Sequence, residues 1–164
     1  MAPRQPLIEP CHCSNKWEAP SLIGTRNGDG QVCKAANQII VGVTVQAVAE
    51  ALVLAAKASA NPIKVQQALM GGAASSTILE NHGARMLAGD FEPGFRAELQ
   101  QNFLRAVLSA ARDLGVVLPL AATAEGLYNA LTARGRGKED HSAIVTILEE
   151  LAACKVAPLD KDTS

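Results

Sequence analysis

Apolar residues recur along most of the chain with the three- and four-residue spacing that is typical of α-helices. From Gly28-Asp29-Gly30 to Ser59 the pattern continues without interruption, and apolar positions cover most of the circumference of the helix that it predicts. A helix of this kind belongs at the centre of a domain rather than on its surface. The sequence therefore predicts one long buried helix as the organising element of the fold.

Capping residues and helix breakers divide the rest of the chain into shorter helices. Asn61 and Pro62 are typical of an N-cap and a first helical turn, and Gly71-Gly72 ends the helix that they begin. The same signals predict three further helices, over 76–88, about 97–114 and 119–134. A last helix is predicted to begin at a cap, either Asp140 or Ser142, and to end at about 154. No segment of convincing length has the period of a β-strand. The predicted fold is all-α, with about six helices packed around one long central helix.

The two ends of the chain depart from the helical pattern. Prolines are scattered through the first twenty residues, and no period is sustained there. The last residues are polar. The predicted organisation is an irregular leader over 1–27, a helical domain over 28–156 and a flexible tail over 157–164.

Composition narrows the possible functions. Hydrophobic residues make up 48% of the chain and aromatic residues only 3%, so we expect an aliphatic core. The formal net charge of -1 provides no basic field for nucleic acid or for an anionic membrane. The longest apolar stretch, 39–56, is interrupted by Thr44, Gln46 and Glu50, which favours a buried helix over a membrane span.

The cysteines indicate neither a disulfide framework nor a complete metal site. Cys33 and Cys154 lie inside helical patterns and are expected to be small buried hydrophobes. Cys11-His12-Cys13 offers metal ligands, but no second cluster of Cys or His completes a tetrahedral set, so no metal site is predicted. Because no apolar signal-peptide core is present either, we expect a cytoplasmic protein.

The start of the long helix carries the most informative polar residues. Lys34 lies near the N-terminus, where the positive end of the helix dipole disfavours a cation and favours release of a proton. Asn37 lies three residues further on and shares a face with Lys34. The pair would offer a proton donor and an amide that orients a substrate oxygen. Spacing alone leaves a second interpretation open, in which the lysine extends to water and the asparagine bonds a nearby loop.

A resemblance to a known family covers about 28–156. The pattern Gly28-x-Gly30-x-x-x-Lys34-x-x-Asn37 resembles the catalytic-lysine segment of the β-hydroxyacid dehydrogenases, which include 3-hydroxyisobutyrate dehydrogenases and 2-hydroxy-3-oxopropionate (tartronate semialdehyde) reductases. Further segments resemble the family in the same order: Gly71-Gly72-Ala73-Ala74-Ser75-Ser76, Phe91-Glu92-Pro93-Gly94-Phe95-Arg96, Leu118-Pro119-Leu120 and Asp140-His141-Ser142-Ala143. The implied fold is that of the C-terminal domain of 6-phosphogluconate and 3-hydroxyisobutyrate dehydrogenases.

The resemblance implies roles for individual residues and a cofactor. Lys34 matches the general acid that protonates a carbonyl oxygen as hydride arrives from NAD or NADP, and Asn37 matches a substrate-binding asparagine. Ser75 and Ser76 either line the substrate cleft or cap the third helix, and the two readings are equally favoured. Asn102 aligns with a second family lysine that lies beside the cofactor, and Phe103 aligns with an aspartate, so this chain departs from the family at both positions.

The family's N-terminal Rossmann domain has no counterpart upstream of Gly28, because no Gly-x-Gly-x-x-Gly loop follows a strand there. We therefore expect the isolated chain to be inactive and not to bind the cofactor alone. Three readings remain: the substrate and dimerisation domain of an NAD(P)-dependent β-hydroxyacid oxidoreductase, a non-catalytic dimerisation module, or a truncated gene product. The expected partners are a second copy, a Rossmann-bearing chain and a small hydroxyacid.

Four other polar residues are assigned structural roles. Asp140 is expected to be an N-cap, and Arg96 to anchor the turn after Pro93 through an ion pair. His82 and His141 are far apart in the sequence and are expected to be isolated and solvent-facing.

Overall fold

The computed structural model describes residues 28–156. The predicted leader 1–27, which includes the Cys11-His12-Cys13 run, and the predicted tail 157–164 lie outside the described residues. Within the described range the fold is all-helical, as predicted. Its elements are α1 (Asp29–Lys57), α2 (Pro62–Met70), α3 (Thr77–Ala88), α4 (Ala97–Asp113), α5 (Pro119–Ala133), a 3₁₀ turn (His141–Ile144) and α6 (Val145–Ala152).

Helix α1 is the centre of the fold, and each of the other helices and the 3₁₀ turn packs against it. Its middle turns are fully enclosed, with Val45, Ala49 and Leu52 at 0% exposure. By length and hydropathy alone α1 could cross a membrane, but here its apolar side chains pack against the other helices of the domain. The predicted long central helix is therefore confirmed.

The predicted capping signals account for most helix boundaries. The Asn61 side chain accepts hydrogen bonds from the backbone N–H groups of Ile63 (3.0 Å) and Lys64 (3.2 Å) at the start of α2. Helix α3 ends at Gly89, whose φ of +66° suits glycine. Helix α1 ends at Lys57, two residues before the predicted end, because the chain reverses through Ser59 at a φ of +61°.

The last predicted helix is divided into two parts. Asp140 caps the 3₁₀ turn by accepting a hydrogen bond from the Ser142 N–H, and the α-helical geometry begins only at Val145. Of the two cap candidates that the sequence left open, Asp140 is the one used. Helix α6 ends at Ala152 because Ala153 adopts a left-handed conformation with a φ of +48°.

A close crossing of α1 and α4 depends on Gly42. A Cβ at this position would lie 2.6 Å from the Nε2 atom of Gln100, which is itself fully buried. That Nε2 atom donates a 3.0 Å hydrogen bond to the backbone carbonyl of Gln38 on α1. The glycine therefore leaves room for a buried amide that joins the two helices, which fixes where α4 crosses α1.

Candidate functional site

An open cleft of about 810 Å³ lies beside the N-terminal half of α1. Helix α1 contributes Asn37 to its lining, α3 contributes His82 and Arg85, and the loop before α4 contributes Phe95. The 3₁₀ turn closes one side with His141. The lining therefore combines amide, imidazole and guanidinium groups with apolar rings, a mixture that suits a small polar ligand.

Lys34 is not among the residues that line this cleft. Its Nζ atom lies 4.9 Å from the centroid of the Phe103 ring on α4. The Phe103 ring stacks on that of Phe95, with the centroids 6.3 Å apart, and Phe95 lines the cleft together with Asn37. Lys34 is partly buried. Its ammonium contacts the Phe103 ring, which in turn stacks on Phe95 in the lining of the cleft.

The other residues that the resemblance indicated lie outside the lining of this cleft. Ser76 caps α3, because its Oγ atom accepts a 3.0 Å hydrogen bond from the Leu79 N–H. Capping is thus the reading that the structure supports for Ser76. Ser75, immediately before it, is exposed. Asn102 is exposed on α4, next to Phe103. Their assignments to substrate or cofactor binding stay predictions.

Asp140 joins two backbone segments, the loop before α4 and the 3₁₀ turn, from a buried position at 1% exposure. Its Oδ2 atom accepts hydrogen bonds from the N–H groups of Gly94 (3.0 Å) and Phe95 (3.1 Å). Its Oδ1 atom accepts from the Ser142 N–H (3.0 Å) and from the Ser142 hydroxyl (2.6 Å). Burial raises the pKa of Asp140, but interactions with His82, Ser142 and Phe95 outweigh burial and hold the pKa well below its ordinary value. The predicted N-cap is confirmed.

The expectation that His82 and His141 are isolated and solvent-facing is wrong. Their Nε2 atoms lie 3.3 Å apart, and the rings meet edge to face with centroids 4.5 Å apart. His141 is only 2% exposed. Burial, followed by the proximity of His82, lowers the pKa of His141 to about 4, although the Asp140 charge acts in the opposite direction. His141 is therefore neutral at pH 7.

The sequence did contain a signal for the burial of His141. The segment that follows it, 143–147, carries no charge and is buried throughout, so the turn containing His141 belongs to the core. Its contact with His82 had no such signal, because the two residues are separated by 59 positions and lie on different elements.

Arg85, which the sequence did not single out, contacts the loop that contains Pro93. Its Nη1 atom donates a 2.6 Å hydrogen bond to the Glu92 carbonyl and lies 3.6 Å from Asp140 Oδ2. The Arg96 side chain instead lies 3.5 Å from Glu98 at the exposed start of α4. The ion pair that was predicted for Arg96 is therefore present, with Glu98 as its partner, and the bond to the loop backbone at Glu92 comes from Arg85.

The described residues fit only one part of a dinucleotide site. Lys34 and Asn37 are groups that can meet a reacting carbonyl, because an ammonium and an amide both donate hydrogen bonds to oxygen. Residues 28–156 form no strand, however, and so supply no strand–glycine loop–helix unit to hold a pyrophosphate. Residues 28–156 therefore lack the phosphate-binding loop of a Rossmann domain.

Comparisons with known proteins place this architecture among the hydroxyacid dehydrogenases. A crystal structure of 3-hydroxyisobutyrate dehydrogenase from Salmonella typhimurium superposes with a TM-score of 0.73 at 32% identity, covering 76% of this chain and 44% of that one. The Mycobacterium tuberculosis 3-hydroxyisobutyrate dehydrogenase, solved with L-serine, gives a TM-score of 0.67 at 26% identity, covering 74% of this chain and 44% of that one.

Sequence relatives agree with the structural ones. Residues 28–148 match the family described as "NAD-binding of NADP-dependent 3-hydroxyisobutyrate dehydrogenase". The 2-hydroxy-3-oxopropionate reductase of Escherichia coli (strain K12) is 52% identical over 137 residues, which are 84% of this chain and 47% of that protein. A probable 3-hydroxyisobutyrate dehydrogenase-like protein of Arabidopsis thaliana is 35% identical over 140 residues, 85% of this chain and 42% of that protein. The chain belongs to the 3-hydroxyisobutyrate dehydrogenase family and spans about half the length of these relatives.

Proposed function

We propose that this chain supplies the helical, substrate-facing half of an NAD(P)-dependent reductase for short β-hydroxyacids, with 2-hydroxy-3-oxopropionate as the substrate type. The 52% identity to the Escherichia coli 2-hydroxy-3-oxopropionate reductase is the observation that carries the proposal. The partly buried Lys34 and the cleft-lining Asn37 support it, since they provide the two polar groups that carbonyl reduction requires. The dinucleotide-binding half comes either from a longer form of this polypeptide or from a second chain.

In the proposed reaction Lys34 is the general acid in reduction and the general base in the reverse direction. NAD(P)H supplies the hydride when it is bound. Negative charge then develops on the carbonyl oxygen, and the ammonium of Lys34 stabilises that charge and transfers a proton to the oxygen. The Asn37 amide donates a hydrogen bond that orients the substrate. The face of the Phe103 ring attracts the ammonium without accepting its proton, so it keeps Lys34 beside the cleft.

A fusion protein tests this proposal. The N-terminal half of the Escherichia coli 2-hydroxy-3-oxopropionate reductase is joined to residues 28–164 of this chain, and NADH or NADPH oxidation is followed with 2-hydroxy-3-oxopropionate. We expect turnover, and we expect Lys34→Met to lower kcat by about 10²- to 10⁴-fold. Lys64→Met, at an exposed position on α2, is the matched control and leaves turnover unchanged. A folded fusion that binds cofactor but turns over no faster than its Lys34→Met variant contradicts the proposal.

A second candidate function is subunit association without catalysis. Three large apolar side chains of α1 are exposed along one side of the helix: Val32 (69%), Ile40 (66%) and Leu54 (70%). An apolar side on the central helix suits contact with another protein surface. The test is the mass of the purified chain by size-exclusion chromatography with light scattering. The association reading expects a dimer that Ile40→Glu dissociates, and a wild-type monomer counts against it.

A further inference from the structure

We propose that His82 and His141 bind one divalent transition-metal ion of the Zn²⁺ type at the wall of the cleft. The proposal concerns binding at a histidine pair and does not depend on the reductase activity proposed above. Both side chains line the same cleft, one from α3 and the other from the 3₁₀ turn. Imidazole is a common ligand for Zn²⁺, Ni²⁺ and Cu²⁺.

The separation of the two imidazole nitrogens matches the bite of a tetrahedral ion. The Nε2 atoms of His82 and His141 lie 3.3 Å apart. Two nitrogens bound at about 2.0–2.1 Å to one tetrahedral ion are separated by about 3.3–3.4 Å. The rings are inclined at 78°, so their Nε2 atoms meet without stacking of the ring faces. The separation of the two nitrogens therefore already equals the one that a shared ion requires.

The groups behind the pair suit a supporting role. His82 Nδ1 lies 3.7 Å from Asp140 Oδ1, so a small movement would bring the two into the hydrogen bond by which a carboxylate orients a metal-binding histidine. Asp140 is held behind the pair by its bonds to Gly94, Phe95 and Ser142, so we assign it this supporting role and not direct coordination. The Nδ1 atoms of both histidines are buried, whereas the two Nε2 atoms approach each other, so we assign Nε2 as the nitrogen that binds the ion.

The site is anchored on one side and accessible on the other. The His141 N–H donates a 2.9 Å hydrogen bond to the Phe95 carbonyl, and the Phe95 ring packs edge to face on the imidazole. The His82 side chain keeps 21% exposure to the cleft. Water, the exposed Glu80 carboxylate or a bound small acid can therefore fill the remaining positions around the ion. The positive charge of Arg85 is balanced by Asp140, 3.6 Å away.

Two neutral imidazoles that share one hydrogen bond would have the same separation, and metal titration distinguishes the two cases. The experiment uses the full 164-residue chain with Cys11→Ser and Cys13→Ser, which removes the thiols of the N-terminal Cys-His-Cys run. Zn²⁺ is titrated by calorimetry, and Co²⁺ by its visible absorption spectrum. We expect one ion per chain, a higher melting temperature with Zn²⁺, and a Co²⁺ spectrum of nitrogen and oxygen ligands without thiolate charge-transfer bands.

Substitutions assign the ligands. His82→Gln should weaken Zn²⁺ binding at least about tenfold and remove the thermal stabilisation, since one of two protein ligands is lost. Asn81→Gln, at the exposed neighbouring position, and His12→Gln, at the third histidine of the chain, should leave binding unchanged. Circular dichroism confirms that each variant is folded. The proposal is overturned if the folded parent protein binds no Zn²⁺, if His82→Gln binds it equally well, or if His12→Gln abolishes binding.

Discussion

The ammonium nitrogen of Lys34 lies 4.9 Å from the centre of the Phe103 ring on α4, the helix that packs against α1. By the family resemblance, an aspartate aligns with Phe103 and a lysine with Asn102. An aromatic face attracts a cation, as a carboxylate does, but it neither accepts a proton nor carries a full charge. Relative to the family residues that align with them, Asn102 and Phe103 therefore give α4 one fewer positive and one fewer negative group beside Lys34.

Restoring the two charged groups should raise the turnover of the fusion protein. We expect Asn102→Lys combined with Phe103→Asp to increase kcat about tenfold, because a second ammonium stabilises charge near the cofactor and the carboxylate orients Lys34. The measurement is steady-state NAD(P)H oxidation in the fusion. Phe103→Leu is the control, since it removes the ring without adding a charge. Equal or lower turnover in the double variant would show that Asn102 and Phe103 do not lower the kcat of the fusion protein.

Removing the Asp140 carboxylate should destabilise the fold strongly. Asp140→Ala leaves the N–H groups of Gly94, Phe95 and Ser142 without their acceptor in a buried corner, and we expect a loss of about 3 kcal/mol in the free energy of unfolding. Urea denaturation followed by circular dichroism measures it. Asp90→Ala is the control, because Asp90 accepts one exposed bond from the Glu92 N–H and should cost below about 1 kcal/mol. Equal losses for the two variants would contradict the central role of Asp140.

Two glycine-to-alanine substitutions in helices should act in opposite directions. Gly126→Ala adds a methyl group in open space on α5 and should stabilise the protein by about 0.5–1 kcal/mol. Gly42→Ala gains the same helix propensity but places its Cβ 2.6 Å from the buried Gln100 amide, so we expect a net loss of about 1 kcal/mol or more. Chemical denaturation measures both. Gly42→Ala combined with Gln100→Ala should be less destabilised than the sum of the two single variants, and strict additivity would argue against this contact.

The buried phenol of Tyr128 should make the fold sensitive to alkaline pH. Tyr128 has 0% exposure and no hydrogen-bond partner for its hydroxyl among the described residues. Burial and, to a smaller extent, the Asp140 charge raise its pKa well above the ordinary value of 10.0. Above pH 10 the unfolded chain therefore releases a proton that the folded chain retains, and stability falls by about 1.4 kcal/mol per pH unit.

Tyr128→Phe should remove this pH dependence and should be neutral or stabilising at pH 7, because it deletes an unpaired buried hydroxyl. Denaturation at pH 7 and at pH 10–11 tests both points. Since Tyr128 is the only tyrosine in the chain, tyrosinate absorption gives a direct readout, and it should appear only as the protein unfolds. Tyrosinate absorption in the folded state near pH 10 would refute the predicted shift.

Local signals in the sequence were sufficient to predict most of the fold. The N-cap at Asn61, the helix end at Gly89 and the apolar circumference of α1 each depend on residues that are close in the sequence, so they can be predicted from it. The end of α1 at Lys57 was missed by two residues. It depends on the left-handed conformation of Ser59, which the sequence does not indicate because Ser59 is not a glycine.

The candidate site was only partly predictable, because its contacts join residues that are distant in the sequence. Lys34 and Asn37 share one helix face and could be identified together. Three features of the site depend on how the helices pack: the pairing of His82 with His141, the hydrogen bond from Arg85 to Glu92, and the contacts of Phe103 with Lys34 and Phe95. Helical periodicity reports which side of a helix is buried, but not which neighbour covers it.

The bonds from Gly94 and Phe95 to Asp140 close a loop of about 45 residues that contains all of α4 and α5. Loop-closure entropy opposes such a contact until the intervening helices have formed and packed. The corner is therefore expected to assemble after the rate-limiting step of folding. Its loss in Asp140→Ala would then appear as faster unfolding with little change in the folding rate, so this carboxylate mainly governs how long a folded molecule persists.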